Sequence, residues 1–228
     1  MRPLVRPLTR TPSSIGFLLF AACLICLVAL GAPARADTTA SAFIKDLGDQ
    51  ALAAAADKTL DTVAKEKKFR AILKEKFAIS SIARFVLGRY WRQADDAQKE
   101  RYLNLFEDYV VFTYLRNFNN YSGQTFQITG ERDDGEKGVV VFMDIQQNSA
   151  PPYKLEWLVK KSSKSGRWLI VDLKAEGISM AVTQRTDFTA TISHYGGKLD
   201  PFLDDLQKKV ASARVALGKS GEQSKPQG

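Results

Sequence analysis

Reactive side chains are scarce in this chain. His194 is the single histidine, and both cysteines, Cys23 and Cys26, fall in one apolar stretch near the N-terminus. The absence of any thiol beyond that stretch excludes cysteine nucleophiles, disulfides and sulfur-bound zinc, and one imidazole is too few for a nitrogen-ligated metal centre. No Gly-x-Gly-x-x-Gly, phosphate-loop or Gly-x-Ser-x-Gly sequence occurs, since Gly177-Ile178-Ser179-Met180-Ala181 lacks the final glycine. A Ser/His/Asp device would have to recruit His194, which precedes Gly196-Gly197, where a histidine more commonly steadies a helix C-terminus. The acidic pairs Asp95-Asp96, Asp133-Asp134 and Asp204-Asp205 are sequence neighbours, and adjacent side chains on a helix do not face each other. These gaps predict a protein that is not an enzyme and holds no metal and no cofactor.

Long apolar runs are equally rare. Phe17 to Leu30 is 14 uncharged apolar residues, preceded by Arg2, Arg6 and Arg10 and followed by Ala34-Arg35-Ala36. That length falls short of the about 20 residues a membrane-spanning helix needs. A positive segment, an apolar segment and a small-x-small site in this order predict a secretory signal, residues 1–36, cleaved after Ala36. Both cysteines would leave with it. Removing the four leader arginines from the net charge of +8 leaves +4, which suits work near anionic membrane surfaces and argues against nucleic acid as a partner.

The whole chain is 45% hydrophobic and 25% charged, a balance that can bury a core. From Ser41 to about Phe77 apolar residues recur at helical steps, with a break between Asp57 and Lys68. Ile79 to Val86 reads as a helix closed by Gly88, and Asp95 with Gln98 forms a capping box for a helix reaching about Asn120. In that helix Leu103, Phe106, Val110, Tyr114, Phe118 and Tyr121 make one stripe, while Tyr102, Leu105, Tyr109 and Phe112 make a second. After Ser122 the period changes to two, giving four strands joined by short turns and hence an antiparallel meander. Ser179 caps a helix to about His194, and a last helix runs from Pro201 to Leu217. The fold class is α+β: a twisted four-stranded antiparallel sheet wrapped by helices. The helical part covers about 41–121, the sheet about 124–175 and the C-terminal helices about 179–217, before a disordered tail at 218–228. The aromatic helix is expected to face the apolar strands. Periodicity leaves open whether that contact is a filled core or a cavity for a greasy ligand.

Four segments, in order and spacing, resemble the MlaC family. They are Phe85-Val86-Leu87-Gly88-Arg89-Tyr90-Trp91-Arg92; Tyr102 to Phe106 with Tyr114; Tyr121-Ser122-Gly123-Gln124-Thr125-Phe126; and Trp168 to Asp172 with Ala175-Glu176-Gly177-Ile178-Ser179-Met180. The similarity runs from about Ser41 to Val210. These are periplasmic phospholipid-binding proteins of the maintenance-of-lipid-asymmetry, or toluene-tolerance, system. The resemblance implies a nuclear-transport-factor-2-like fold and a carrier with acyl chains in its cavity, the headgroup lying near solvent. Its partners would be an inner-membrane ABC transporter complex with an MCE-domain subunit and an outer-membrane lipoprotein–porin complex. A hopanoid or other polycyclic lipid is the alternative ligand, and an exported module of the same fold without ligand is the alternative role.

On this reading the lipid-contacting residues are Phe106, Val110, Tyr114, Phe118, Tyr121, Phe126, Tyr153, Leu155, Trp157 and Ile178. The basic residues Arg89, Arg92, Lys99 and Arg101 would meet the partner complexes, because charge speeds a brief encounter without slow release. A monomer located in the periplasm is expected.

Overall fold

The computed structural model describes residues 39–119, 123–147 and 151–223. The expected signal segment, Tyr121 and residues 224–228 lie outside the described residues. Six α-helices and five strands occur among them: α1 (Ala40–Ala56), α2 (Thr62–Lys76), α3 (Ile79–Leu87), α4 (Asp96–Asn119), β1 (Thr125–Asp133), β2 (Val139–Gln146), β3 (Tyr153–Lys161), β4 (Trp168–Ala175), β5 (Ile178–Ser179), α5 (Met180–His194) and α6 (Leu199–Gln223).

Local chemistry sets the helix boundaries. Thr39 accepts from the Ala42 N–H at 3.1 Å and Asp61 from the Ala64 N–H at 2.7 Å, so each of the first two helices starts at a side-chain cap. Between them the Asp57 carboxylate takes both the N–H and the hydroxyl of Thr59, and this local turn separates α1 from α2. Asp95 and Gln98 bond each other's backbone N–H at 2.8 and 3.2 Å, a reciprocal capping box at the start of α4. Gly88 leaves α3 with φ of +60°, a value that favours glycine, and opens a short 3-10 turn through Arg92.

The sheet is the expected meander, all antiparallel in the order β1-β2-β3-β4-β5. The fifth strand is a two-residue addition, in which Ile178 pairs with Ala175 before Ser179 caps α5. Gly138, at φ of +121°, lets the β1–β2 turn approach β3, since a Cβ there would lie 2.1 Å from the Val159 carbonyl oxygen.

Packing departs from expectation in one respect. The aromatic helix α4 lies chiefly along α6, with α2 and α3 beside it, while α1 lies on β1 and β2, and α2, α3 and α5 each touch β4. The cause is aromatic matching. Tyr102 and Phe106 of α4 meet Phe188 of α5 at 6.4 and 6.3 Å between ring centres, and Phe188 meets Phe202 of α6 at 5.0 Å. Two cores result. One is helical and built on Tyr102, Phe106, Phe188, Phe202 and Leu203; the other joins Ile44 and Leu47 of α1 to Val141, Met143, Val159 and Ile170 of the sheet. A smaller cluster of Phe112, Leu115, Val210 and Leu217 ties α4 to α6.

The expected tail also needs correction, because α6 continues to Gln223 instead of ending at Leu217. Leu217 is buried in the α4–α6 cluster and anchors the last turns, and Gly218 in the following residues does not interrupt them.

Candidate functional site

A cavity of about 190 Å³ lies where α1 and α2 cross the sheet. Leu47, Gly48, Ala51 and Leu52 of α1 and Phe69, Ile72 and Leu73 of α2 form its roof, with Phe77 just beyond. Phe126, Met143, Ile145, Leu155 and Trp157 form its floor. The floor is a product of register: Phe126 pairs with Ile145 and Met143 with Leu155, and directly paired residues share one face of an antiparallel sheet. The roof leaves space because its middle is small. Gly48 has no Cβ, and the ring of Phe126 is seated against its backbone, where an added Cβ would lie 2.5 Å from Cζ.

Every lining side chain is apolar or aromatic, and one polar atom stands out among them. The indole Nε1 of Trp157 is buried and has no hydrogen-bond partner among the described residues. Such a donor carries a desolvation cost until an acceptor reaches it. The Phe77 ring lies edge-on to Trp157 at 6.5 Å.

The two roof helices are held together by charge. Lys76, only 8% exposed, donates to Asp46 at 2.8 Å and lies 3.1 Å from Glu75. Burial by itself would lower the Lys76 ammonium, but its bonds to Asp46 and Glu75 outweigh it and hold the group above its usual value. Asp46 is held below the usual carboxylate value, first by the Lys76 bond and then by the Gln50 amide.

Of the residues expected to contact lipid, the structure brings Phe126, Leu155 and Trp157 together in this cavity. Tyr153 pairs with Ile145, and Ile178 pairs with Ala175, which itself pairs with Leu155; both therefore continue the cavity face outward, with exposures of 41% and 60%. Tyr114 sits elsewhere, its hydroxyl 3.9 Å from Met180 Sδ, and burial pushes that hydroxyl's pKa up. Phe106 and Val110 belong to the helical core. The side chain of Phe118, like Tyr121, lies outside the described residues.

The roof residues from Leu47 to Leu73 were missed. Their signal was the run of small residues, Gly48, Ala51 and Ala53 to Ala56, on an otherwise apolar helix, which leaves volume unfilled.

The four basic candidates separate into two groups. Lys99 is 3.3 Å from Asp96 and lies over the Trp91 ring, and Arg101 donates to Asp204 and Gln207 at 2.7 Å each. Arg89 stacks on Tyr90 and donates to its hydroxyl at 2.9 Å, and Arg92 is exposed. His194 ends α5 beside the Tyr195 ring, and among the described residues no group of three or more His, Cys, Asp or Glu side chains is arranged to hold a metal ion. Also among the described residues, no helix is long and apolar enough to cross a membrane.

Fold and site together define an α+β protein whose antiparallel meander and overlying helix pair enclose an apolar pocket. The family described as MlaC protein matches residues 44–208, and the chain belongs to the MlaC family. It is 26% identical over 128 residues to the intermembrane phospholipid transport system binding protein MlaC of Haemophilus influenzae, covering 55% of this chain and 59% of that relative. Its fold is similar to that of a phospholipid-binding protein from Ralstonia solanacearum solved in complex with a phospholipid, with a TM-score of 0.66 and 22% identity over 77% of this chain and 98% of that one.

Proposed function

We propose that this protein is an exported carrier that takes phospholipid acyl chains into the cavity between α1, α2 and the sheet. The observation that carries this reading is the apolar cavity itself, open along a sheet face that continues to the exposed Tyr153 and Ile178. Membership of the MlaC family and the names of the two relatives support it. At about 190 Å³ the cavity lies below the roughly 300–1,000 Å³ usual for ligand sites. Loading therefore lifts the helix pair from the sheet. The sheet changes least, since its strands are bonded to each other, whereas α1 and α2 rest on it chiefly through side chains, with the Ala78 N–H to the Ile170 carbonyl as a backbone tie just past the end of α2.

In the loaded state Phe126, Leu155 and Trp157 contact acyl chains, Tyr153 and Ile178 form the rim, and a lipid ester carbonyl supplies the acceptor for Trp157 Nε1. Phe106, Val110 and Tyr114 lie outside the cavity and drop out of the contact set, while Phe118 and Tyr121 are kept in it as further acyl-chain contacts. The carrier is a monomer that performs no catalysis, leaves its signal behind after Ala36 and works in the periplasm. It exchanges lipid with an inner-membrane MCE-domain ABC transporter complex and an outer-membrane lipoprotein–porin complex, meeting both through the basic surface of Arg89, Arg92, Lys99 and Arg101. Arg89 and Arg92 contribute most to that encounter because Lys99 and Arg101 are already engaged by carboxylates.

Organic extraction of the purified protein followed by mass spectrometry tests the reading. Phospholipid near one molecule per chain is the expected result, and a hopanoid would replace the ligand while keeping the carrier. Protein that emerges free of lipid and takes none from vesicles would overturn the proposal.

A further inference from the structure

A second cleft, of about 390 Å³, lies on the side of the molecule formed by α5 and the 3-10 turn, and it shares no lining residue with the apolar cavity. Arg185, Thr189 and Ser193 follow at four-residue steps along α5 and form one wall, with Thr186 and Ala190 beside them; Arg89 faces them from the turn.

Both guanidinium groups are positioned before any ligand arrives. That of Arg185 lies 4.9 Å above the half-exposed Phe85 ring and packs against Gly88, where a Cβ would stand 3.2 Å from Nε. Phe85 is 42% exposed, so this stacking holds the arginine at the surface and not in the core. Arg89 lies 4.9 Å above the Tyr90 ring and donates to the Tyr90 hydroxyl, which is 3.0 Å from Ser193 Oγ. The turn is thereby tied to the same face of α5.

Neither arginine has a carboxylate partner among the described residues. The contrast within the chain is clear: Arg70 reaches Glu66, Glu107 and Asp108 at 2.6 to 3.3 Å, and Arg101 reaches Asp204 at 2.7 Å. Among the described residues no acid lines the cleft, and the one acid of α5, Asp187, acts on Tyr109 toward α4 instead. An arginine carries five donors, of which Arg89 spends one on Tyr90.

We propose that Arg89 and Arg185 form a binding site for the oxyanion of a phosphate ester. Two forks presented from different elements approach an anion from two directions, which matches a tetrahedral phosphate better than a planar carboxylate that one fork satisfies. The cleft exceeds what inorganic phosphate fills, so the remaining volume, bordered by Thr186, Thr189 and Ala190, holds the group esterified to it. A free phosphate ester and a phospholipid headgroup at a membrane surface share this chemistry. The site uses none of the cavity residues, and it shares only Arg89 with the surface proposed to meet the partner complexes, so loss of lipid loading and loss of phosphate binding are separate outcomes.

The test is titration of the full mature chain with glycerol 3-phosphate by calorimetry, alongside sedimentation with vesicles of phosphatidylglycerol and of phosphatidylcholine. Arg89→Gln and Arg185→Gln should each weaken binding by about tenfold or more, the size expected when a charge-assisted bond is removed, with unchanged melting temperature. Arg185→Lys, which keeps the charge but loses the fork, should fall between them and the parent chain. Saturable binding of glycerol 3-phosphate identifies a free ester as the source; binding only to vesicles, lost in the same two variants, identifies a lipid headgroup. Equal binding by the glutamine variants, tighter binding of a glutamate-rich peptide than of either phosphate probe, or no binding to any of them would overturn the proposal.

Discussion

The two cores of this protein are built from similar residues and behave as opposites. In the helical core, Tyr102 and Phe106 are 1% and 2% exposed and their rings interlock with Phe188 and Phe202. The Tyr102 hydroxyl is satisfied by the Ala83 carbonyl at 2.9 Å, and burial drives its pKa well up. In the sheet core the large rings of Phe126 and Trp157 face Gly48 and Ala51, volume is left over, and the Trp157 N–H has no partner among the described residues. Aromatic content therefore does not mark a ligand site. What marks the proposed site is large side chains opposed by small ones, together with a polar atom that no described residue satisfies.

The comparison can be broken most directly in the helical core. Phe106→Ala should lower unfolding free energy by about 3–5 kcal/mol, the cost of emptying a packed aromatic site, as read by chemical denaturation. A loss below about 1 kcal/mol would mean that the helical core is as loosely filled as the sheet core.

Next in size are changes at the cavity roof. Gly48→Ala should cost about 1–3 kcal/mol by pressing on the Phe126 ring. Phe126→Leu in the same chain should recover most of that, and a double-mutant cycle with no coupling would refute the contact. Asp46→Asn leaves Lys76 with Glu75 alone and, because the Asp46 side chain is half exposed and screened by solvent, should cost about 0.5–1 kcal/mol near neutral pH. Because the folded Asp46 pKa is depressed, its contribution is present above the ordinary carboxylate value and is lost as pH falls through the folded one. The gap between the parent and Asp46→Asn should thus close in acid, while the raised Lys76 pKa keeps its share until strongly alkaline pH. A gap independent of pH below 5 would assign the effect to packing.

Smaller effects sharpen the difference between stability and binding. Trp157→Phe removes an unsatisfied donor, so the unloaded protein should lose less than about 1 kcal/mol. Ester-linked phospholipid should bind it several-fold more weakly than the parent chain, with ether-linked phospholipid unaffected; equal loss for both lipids would show that Nε1 meets no carbonyl. Ile178→Glu, at a position 60% exposed, should change stability by less than about 0.5 kcal/mol and still reduce lipid uptake from vesicles. Global unfolding of this variant would remove Ile178 from the rim and place it in the core.

Sequence alone was sufficient wherever the deciding interactions are local. The reciprocal Asp95–Gln98 bonds, the Ser179 cap on Val182 and the positive φ of Gly88 act within a few residues, so α3, α4 and α5 were legible to within a residue or two of their ends. The meander was legible because alternation and short turns leave adjacent strands few other partners. Tertiary structure alone decided which helix meets the sheet. Both stripes of α4 are apolar, and periodicity says that a stripe is buried without saying against what; the rings of Phe188 and Phe202, more than 80 residues away, claimed it. The apolar cavity followed from that choice. It passed to α1 and α2, whose small residues carry little hydrophobic signal in one dimension yet set the free volume once the sheet lies beneath them. The pairing of Arg89 with Arg185 was hidden for the same reason, since residues 96 positions apart become neighbours only when α5 packs beside α3.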